Sequence, residues 1–435
     1  MNIIKLLSRY SYADIRIEQG MEDVIKISNK EVKTFSGNFY GISARVLVNG
    51  SWGFASSNRK TDPEELLEKA RKLAMLKKGK IKLKTPKPVK KKITSKRRTS
   101  PVETKIEEMK YARDRIKGKN IKTMMVSSIE DVTKTEFYSS EGSEITQETN
   151  SCYASCSAIA KKGDNMQKAV ETAGSIKGFK NINLHEMAET VREKAKRLLN
   201  ASLPPKGRAT VVLDPEMTGV FTHEVVGHAS EADSIIERES ILSNKLGKMI
   251  GSPLVNIVDD PTYKDFGHYV YDEEGAKAKK VTLIKKGKLV NYLNSAETAE
   301  RLKHDLNGHC RSASYDSFPI VRMSNTFFLP GKSSLEDVFD VREGIYVKGM
   351  RGGSVDPFSG NFMFKAEEAF RIKNGEKEKP LRDVSISGNI LKILKNIEEV
   401  GKDFATSPGF CSKMGQDVRV SDGGPHVRIK EVLVG

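Results

Sequence analysis

The run Val220-Phe221-Thr222-His223-Glu224-Val225-Val226-Gly227-His228-Ala229-Ser230-Glu231 sets two imidazoles and a carboxylate close together in the chain. Imidazole is a common zinc ligand. A glutamate beside a zinc ligand can take a proton from water and hand it to a leaving group. In a chain with only seven histidines, His-Glu-x-x-x-His arises by accident on the order of once in a hundred proteins. The plain alternative is two ordinary helix histidines, one satisfied in the core. Spacing separates the two readings. Residues four apart share a helix face, but residues five apart are turned by about 500°, which leaves them about 140° apart. A regular α-helix would therefore aim one imidazole away from the other. A wide π-type turn near Val226-Gly227 would bring them together, and Gly227 is where a distorted turn is tolerated most readily.

Two imidazoles do not complete a catalytic zinc site, which takes three protein ligands and leaves one position open. Glu231, Asp233, His268, His304, His309, Cys310 and Cys411 are candidates for the third, and spacing does not choose among them. Glu231 and Asp233 also suit a supporting role, holding the imidazoles in place. With a metal present, Glu224 is the expected general base: the ion acidifies water and polarises a carbonyl, and a peptide bond is the natural target.

The elements that must hold these residues follow from pattern. Residues 12–57 alternate apolar and polar positions, with Asn49-Gly50 as a hairpin turn. Asp62-Pro63 opens a helix reaching about Met75, with Asp62 as the N-cap candidate. A helix is expected from Glu103 to Ile116. Strands are expected around 121–129, 134–140, 143–149 and 151–160, and a second helix over Asn183–Asn200. After Pro204-Pro205 the strand Ala209–Asp214 leads into the helix of the His-Glu motif. Short strands broken by glycine follow, among them Gly251–Val258, Lys280–Ile284, Val290–Leu293 and Val427–Val434. The expected division is an N-terminal α/β module over 1–85, a basic linker over 86–101, a second α/β module over 102–205 and a β-rich metallopeptidase domain over 206–435.

Composition narrows the setting. The 435 residues are 37% hydrophobic, with a mean hydropathy of −0.47. No apolar run approaches the length of about 20 residues that a bilayer demands, and the first seven residues hold too short an apolar stretch for an export signal. A cytoplasmic protein is expected, and Cys152, Cys156, Cys310 and Cys411 are too few and scattered for a disulfide framework. The formal charge of +17 is concentrated between Lys77 and Arg98, where the sequence has twelve basic residues and no acidic one. Removing those twelve charges leaves +5. The segment reads as a solvated linker or an exposed edge. It has no aromatic residue to grip exposed bases, so nucleic acid is not the expected partner. The competing view of the whole chain is a non-catalytic binding or regulatory protein that acts through this segment on nucleic acid or an acidic partner.

The run Gly219–Asp233 resembles the signature of the TldD/PmbA family of metallopeptidases. Similar landmarks are Val258-Asp259-Asp260, Tyr271–Gly275, Asn307-Gly308-His309 with Arg311, Arg322–Gly331, Gly352–Asp356 and Gly409–Gln416. The third module resembles the family almost throughout, the first two in general layout. The resemblance implies Cys411, ahead of Gly415-Gln416, as the third ligand beside His223 and His228, with Zn2+ as the metal. It implies a TldD-like active member, not a PmbA-like (TldE) member that lacks the motif. The expected class is α+β and two-lobed, with an α/β N-terminal lobe of two modules and a β-rich C-terminal lobe carrying the metal-binding helix. The resemblance further implies unfolded or extended peptides as substrate, held as an added strand, and a homodimer or a heterodimer with an inactive PmbA-like (TldE) paralogue. Arg322, Asn325 and Gly352-Gly353 could line the cleft and His309 could steady an oxyanion, but turn and core roles suit each at least as well.

Overall fold

A computed structural model describes residues 3–95 and 99–435. Among these described residues the strands form four sheets, and the architecture is α+β and sheet-rich. In the N-terminal lobe the sheet runs, in spatial order, Ser51–Ser57, Glu31–Val48, Ala13–Ser28, Ile121–Ser139, Glu144–Lys162 and Lys90–Ile93, with Asn165–Ser175 also paired to Glu144–Lys162. Both N-terminal modules therefore meet in one sheet, through the antiparallel pairing of Ala13–Ser28 with Ile121–Ser139. Asn49 (φ 49°) and Gly50 (φ 69°) make the tight turn that Asn-Gly favours. Helix Pro63–Met75 starts at Asp62, whose side chain accepts the Glu64 amide, and it buries Leu66, Leu67 and Ala70. Helices Val102–Ile116 and Leu184–Leu199 bury Met109, Ala112, Val191 and Leu198 in a common core with Ile25, Val126 and Ala154.

Two long strands, Ile121–Ser139 and Glu144–Lys162, replace the four short ones expected there. Polar residues within them (Glu130, Asn150) are buried, Glu130 against Lys105 and the Phe179 amide, so polarity along the chain did not mark a break. In the same way Gly251–Val258 is mostly loop, with a strand only at Ile257–Asp259.

The C-terminal lobe stacks a six-stranded sheet and a barrel-like sheet on either side of the motif helix. The first is ordered Lys288–Leu289, Val281–Lys285, Ile257–Asp259, Asn325–Phe328, Gln416–Gly424 and Ala405–Lys413. In the second, Glu343–Asp356, Gly207–Leu213, Val427–Val434, Ser385–Asn389 and Asn361–Lys373 pair in turn, and Glu343–Asp356 pairs back to Asn361–Lys373 to close a ring. Met217, Phe221, Val225 and Val226 of the motif segment are buried in one core with Val211, Leu213, Phe328, Ile345, Phe362 and Val420. A helix apolar on nearly every side suits a position buried between two sheets.

Buried ion pairs join the lobes. Arg45 binds Asp14 in its own lobe at 2.7 Å and reaches Glu274 of the other at 3.5 Å. Arg16 meets Glu273 at 2.9 Å. The basic segment is laid on the fold: the amides of Gly79 and Ile81 bond to the Asn49-Gly50 turn, Lys84 reaches Asp305, and Lys90–Ile93 forms an exposed edge strand parallel to Glu144–Gln147. Its last three residues, Lys96, Arg97 and Arg98, lie outside the described residues. No helix among the described residues is long and apolar enough to cross a membrane.

Candidate metal centre

The motif begins as a helix at Pro215, capped by the Asp214 carboxylate on the Met217 amide. Over His223–Gly227 it widens into a π turn in which the His228 amide donates to the His223 carbonyl, five residues back. That is the distortion the histidine spacing requires, and it turns both rings inward with centroids 5.2 Å apart. Gly227 permits it: a Cβ there would lie 1.9 Å from Met323 Sδ. Gly219 does similar service about two turns earlier, where a Cβ would meet the Gly423 amide at 2.5 Å. The helix can thus lie directly on the Gln416–Gly424 strand.

Cys411 comes from the hairpin Ala405–Lys413/Gln416–Gly424. Met414 (φ 51°) and Gly415 (φ 75°) form its two-residue turn. Gln416 fastens that turn, its amide donating to Phe318 O at 2.9 Å and accepting from Ala313 N at 3.1 Å. Arg322, wholly buried, donates to the carbonyls of Gln416 and Cys411. It holds the hairpin and does not line a cleft.

The ligand atoms of His223, His228 and Cys411 all lie within 4.8 Å of one another. His228 Nε2 and Cys411 Sγ are 3.3 Å apart. Ligands at about 2.0–2.3 Å from a tetrahedral zinc sit about 3.5 Å from each other, so the donor set fits one ion. Two imidazoles and a thiolate also match the softness of zinc. Burial pushes the Cys411 thiol up, but the imidazoles beside it outweigh burial and bring it down to about 5. Burial pushes His223 down, and the neighbouring Cys411 and Glu224 charges raise it to about 9. His228 is likewise raised, against burial, by Glu231 and Cys411.

Supporting groups surround the cluster. Glu231 Oε2 is 3.1 Å from His228 Nδ1 and from Lys413 Nζ, and Lys413 also binds Asp233 at 2.7 Å. Glu231 thus braces His228, while Asp233 braces Lys413. Glu224, next to His223 in the chain, is half-buried, and its charge acts on both His223 and Asp422. Asp422 was not legible as a site residue. It is a lone aspartate within a strand, yet its Oδ1 is buried without a partner among the described residues, and a Cβ on Gly219 would touch it at 2.7 Å. Burial lifts its carboxyl to about 7, with His223 opposing and Glu224 adding.

The other candidates lie elsewhere. His309 is wholly buried, with Nε2 3.0 Å from Asp259 Oδ1 and Nδ1 on Asn307, and Asp259 also accepts from Ser324 and Thr326. His268 is bound to Pro261 O and Lys264, and His304 stacks on Tyr292. Cys310 is buried against Asp272 and Glu274. Asn325 ties together the 260–267 loop, and Gly352-Gly353 lies in the barrel hairpin opposite Phe364 and Lys365.

Residues 206–435 match the family description "PmbA/TldA metallopeptidase C-terminal domain", residues 96–199 the central domain and residues 13–74 domain 1. The chain belongs to the PmbA/TldD family. It is 41% identical to a protein named metalloprotease from Methanothermobacter thermautotrophicus, over 100% of this chain and 97% of the relative. It is 31% identical to a "Zinc metalloprotease TldD homolog" from Saccharolobus solfataricus, over 98% and 96% of the two chains. The fold is shared with the crystal structure of TldE from Thermococcus kodakarensis, at a TM-score of 0.81, 19% identity and coverage of 100% and 99%. Relatives of TldD/PmbA type that match along almost the whole chain are thus named as metalloproteases.

Proposed function

We propose that the protein is a zinc peptidase acting on unfolded or extended peptides, with the metal held by His223, His228 and Cys411 and with Glu224 as general base. The observation that carries this reading is the π turn, which brings the two imidazoles to one thiolate from a distant hairpin. A zinc ion bound there would polarise the scissile carbonyl and acidify the attacking water. Glu224 takes the proton from that water and returns it to the leaving amine nitrogen. Glu231 fixes the tautomer of His228 by accepting from Nδ1, leaving Nε2 toward the thiolate. His228 itself and, less strongly, Lys413 keep Glu231 ionised against its burial. The reading includes a cytoplasmic setting and a dimer, formed with a second copy or with an inactive PmbA-like (TldE) paralogue, as the family resemblance implies.

Elemental analysis of wild type beside His228→Ala and Cys411→Ala tests the ligand set: about one zinc per chain is expected for wild type and a sharp loss in each variant. Glu224→Ala should keep the metal and lose cleavage of an unstructured peptide by at least about 100-fold. Full zinc in both ligand variants, or cleavage undiminished in Glu224→Ala, would contradict the assignment.

A further inference from the structure

A cleft of about 590 Å³ runs between the lobes and reaches Phe410 and Val418, which adjoin and pair with Cys411. Two guanidinium groups line it, and among the described residues neither has a carboxylate partner. Arg311 donates to the Met323 carbonyl at 2.6 Å and lies over the Tyr269 ring at 4.9 Å. Arg419 stands opposite Phe410 in the Cys411 hairpin and over the Phe266 ring at 5.7 Å. Burial weakens the hold of Arg311 on its proton; Tyr269 and, less strongly, Asp259 oppose this, and the nearby positive charges of Arg419 and Arg322 add to it.

Asp131, Asp272, Glu273 and Asp417 of the cleft are engaged elsewhere, and burial raises Glu22. Glu273 is paired with Arg16 at 2.9 Å, Asp131 accepts from Thr133 and Ser151, and Asp417 accepts from Ser412. Burial pushes Glu18 up to about 7, so at neutral pH only about half of it is charged when no ligand is bound. Two guanidinium groups with no ion-pair partner in a cleft walled by Tyr153, Phe266 and Phe410 are costly to keep partly buried, and a bound anion would relieve that cost. The planar fork of arginine suits carboxylate in particular. The aromatic walls, with Phe410 44% exposed, suit the apolar side chains of an extended peptide.

We propose that Arg311 and Arg419 bind a carboxylate of the peptide substrate, either its C-terminus or an Asp or Glu side chain. The inference rests on the peptidase reading and names a feature its substrate must carry. Binding of four labelled unstructured peptides to the zinc-loaded protein tests it by fluorescence anisotropy. One pair differs only in a C-terminal carboxylate against an amide. The other is amidated and differs only in one Glu against Gln. The acidic member of at least one pair should bind about tenfold tighter, and the pair that responds identifies the source of the carboxylate. Arg419→Gln or Arg311→Gln should bring that ratio to about unity, while Arg419→Lys keeps part of it; circular dichroism verifies folding. A ratio near unity in wild type overturns the inference even if a variant fails to fold, and so does a ratio that survives both Gln substitutions. Mass spectrometry of the same mixtures separates this inference from the one beneath it. Peptides cut without preference sink the carboxylate site alone, and peptides bound with preference but never cut sink the peptidase reading alone. Peptides neither bound nor cut sink both.

Discussion

At the scale of the residue, the candidate centre is a charge arrangement as much as a geometric one. Without metal, Cys411 at about 5 is a thiolate at neutral pH, while His223 at about 9 and His228, also raised, are imidazolium. Zinc takes the neutral imidazole, so uptake must displace protons from the rings and none from the sulfur. The sign follows: as pH falls below about 9, protons compete increasingly for His223 and apparent zinc affinity weakens. Calorimetry at pH 7 in buffers of different ionisation enthalpy should register release of about two protons per zinc; a heat independent of buffer would contradict this charge state. His223, Glu224 and His228 were legible in the sequence because they sit in one short run. Cys411 was legible only through family resemblance, since a lone cysteine far along the chain has no spacing to read. Asp422 and Arg419 had no signal at all, because strand pairing, not chain proximity, brings them to the site, and Lys413 lay in the Gly409–Gln416 landmark with nothing to mark its role.

At the scale of the element, the π turn is the device on which the site depends. It was legible as a contradiction: histidines five apart cannot converge on a regular helix, and a glycine stood where the turn could widen. What permits it was not legible, since Met323 lies almost a hundred positions away and fills the space a Cβ at 227 would need. Gly227→Ala should therefore cost about 1–3 kcal/mol in thermal unfolding, through overpacking against Met323, and reduce bound zinc. An alanine variant of unchanged stability and zinc content would mean that the turn is not held by this contact. Helices and hairpins whose signals are local came through: the Asp62 cap, the Asn49-Gly50 turn and the amphipathic Leu184–Leu199 helix. The long strands Ile121–Ser139 and Glu144–Lys162 did not, because Glu130 is buried by a distant partner, Lys105, and reads in sequence as an exposed residue.

At the scale of the whole molecule, the lobes are joined by charges removed from water. Arg45 and Glu274 are each nearly inaccessible, with side chains 2% and 4% exposed, and Asp14 completes the group. Removing the arginine alone would strand two buried carboxylates, so Arg45→Met should lose about 3–5 kcal/mol in denaturant unfolding. A loss under about 1 kcal/mol would show the interface to be solvated and loosely held. None of this junction could be read in advance, since its partners are more than two hundred residues apart and each is an ordinary charged residue in its own segment. The join sets the walls of the interlobe cleft, whose far side is the hairpin bearing Cys411.

The central claim is that one ion is shared by two imidazoles and one sulfur. X-ray absorption at the zinc edge of the metal-loaded protein addresses it most directly. The expected spectrum has one sulfur at about 2.3 Å and nitrogen or oxygen neighbours at about 2.0–2.1 Å, with the sulfur contribution gone in Cys411→Ala. A wild-type spectrum with only nitrogen and oxygen neighbours, or a sulfur contribution that persists in that variant, would contradict it.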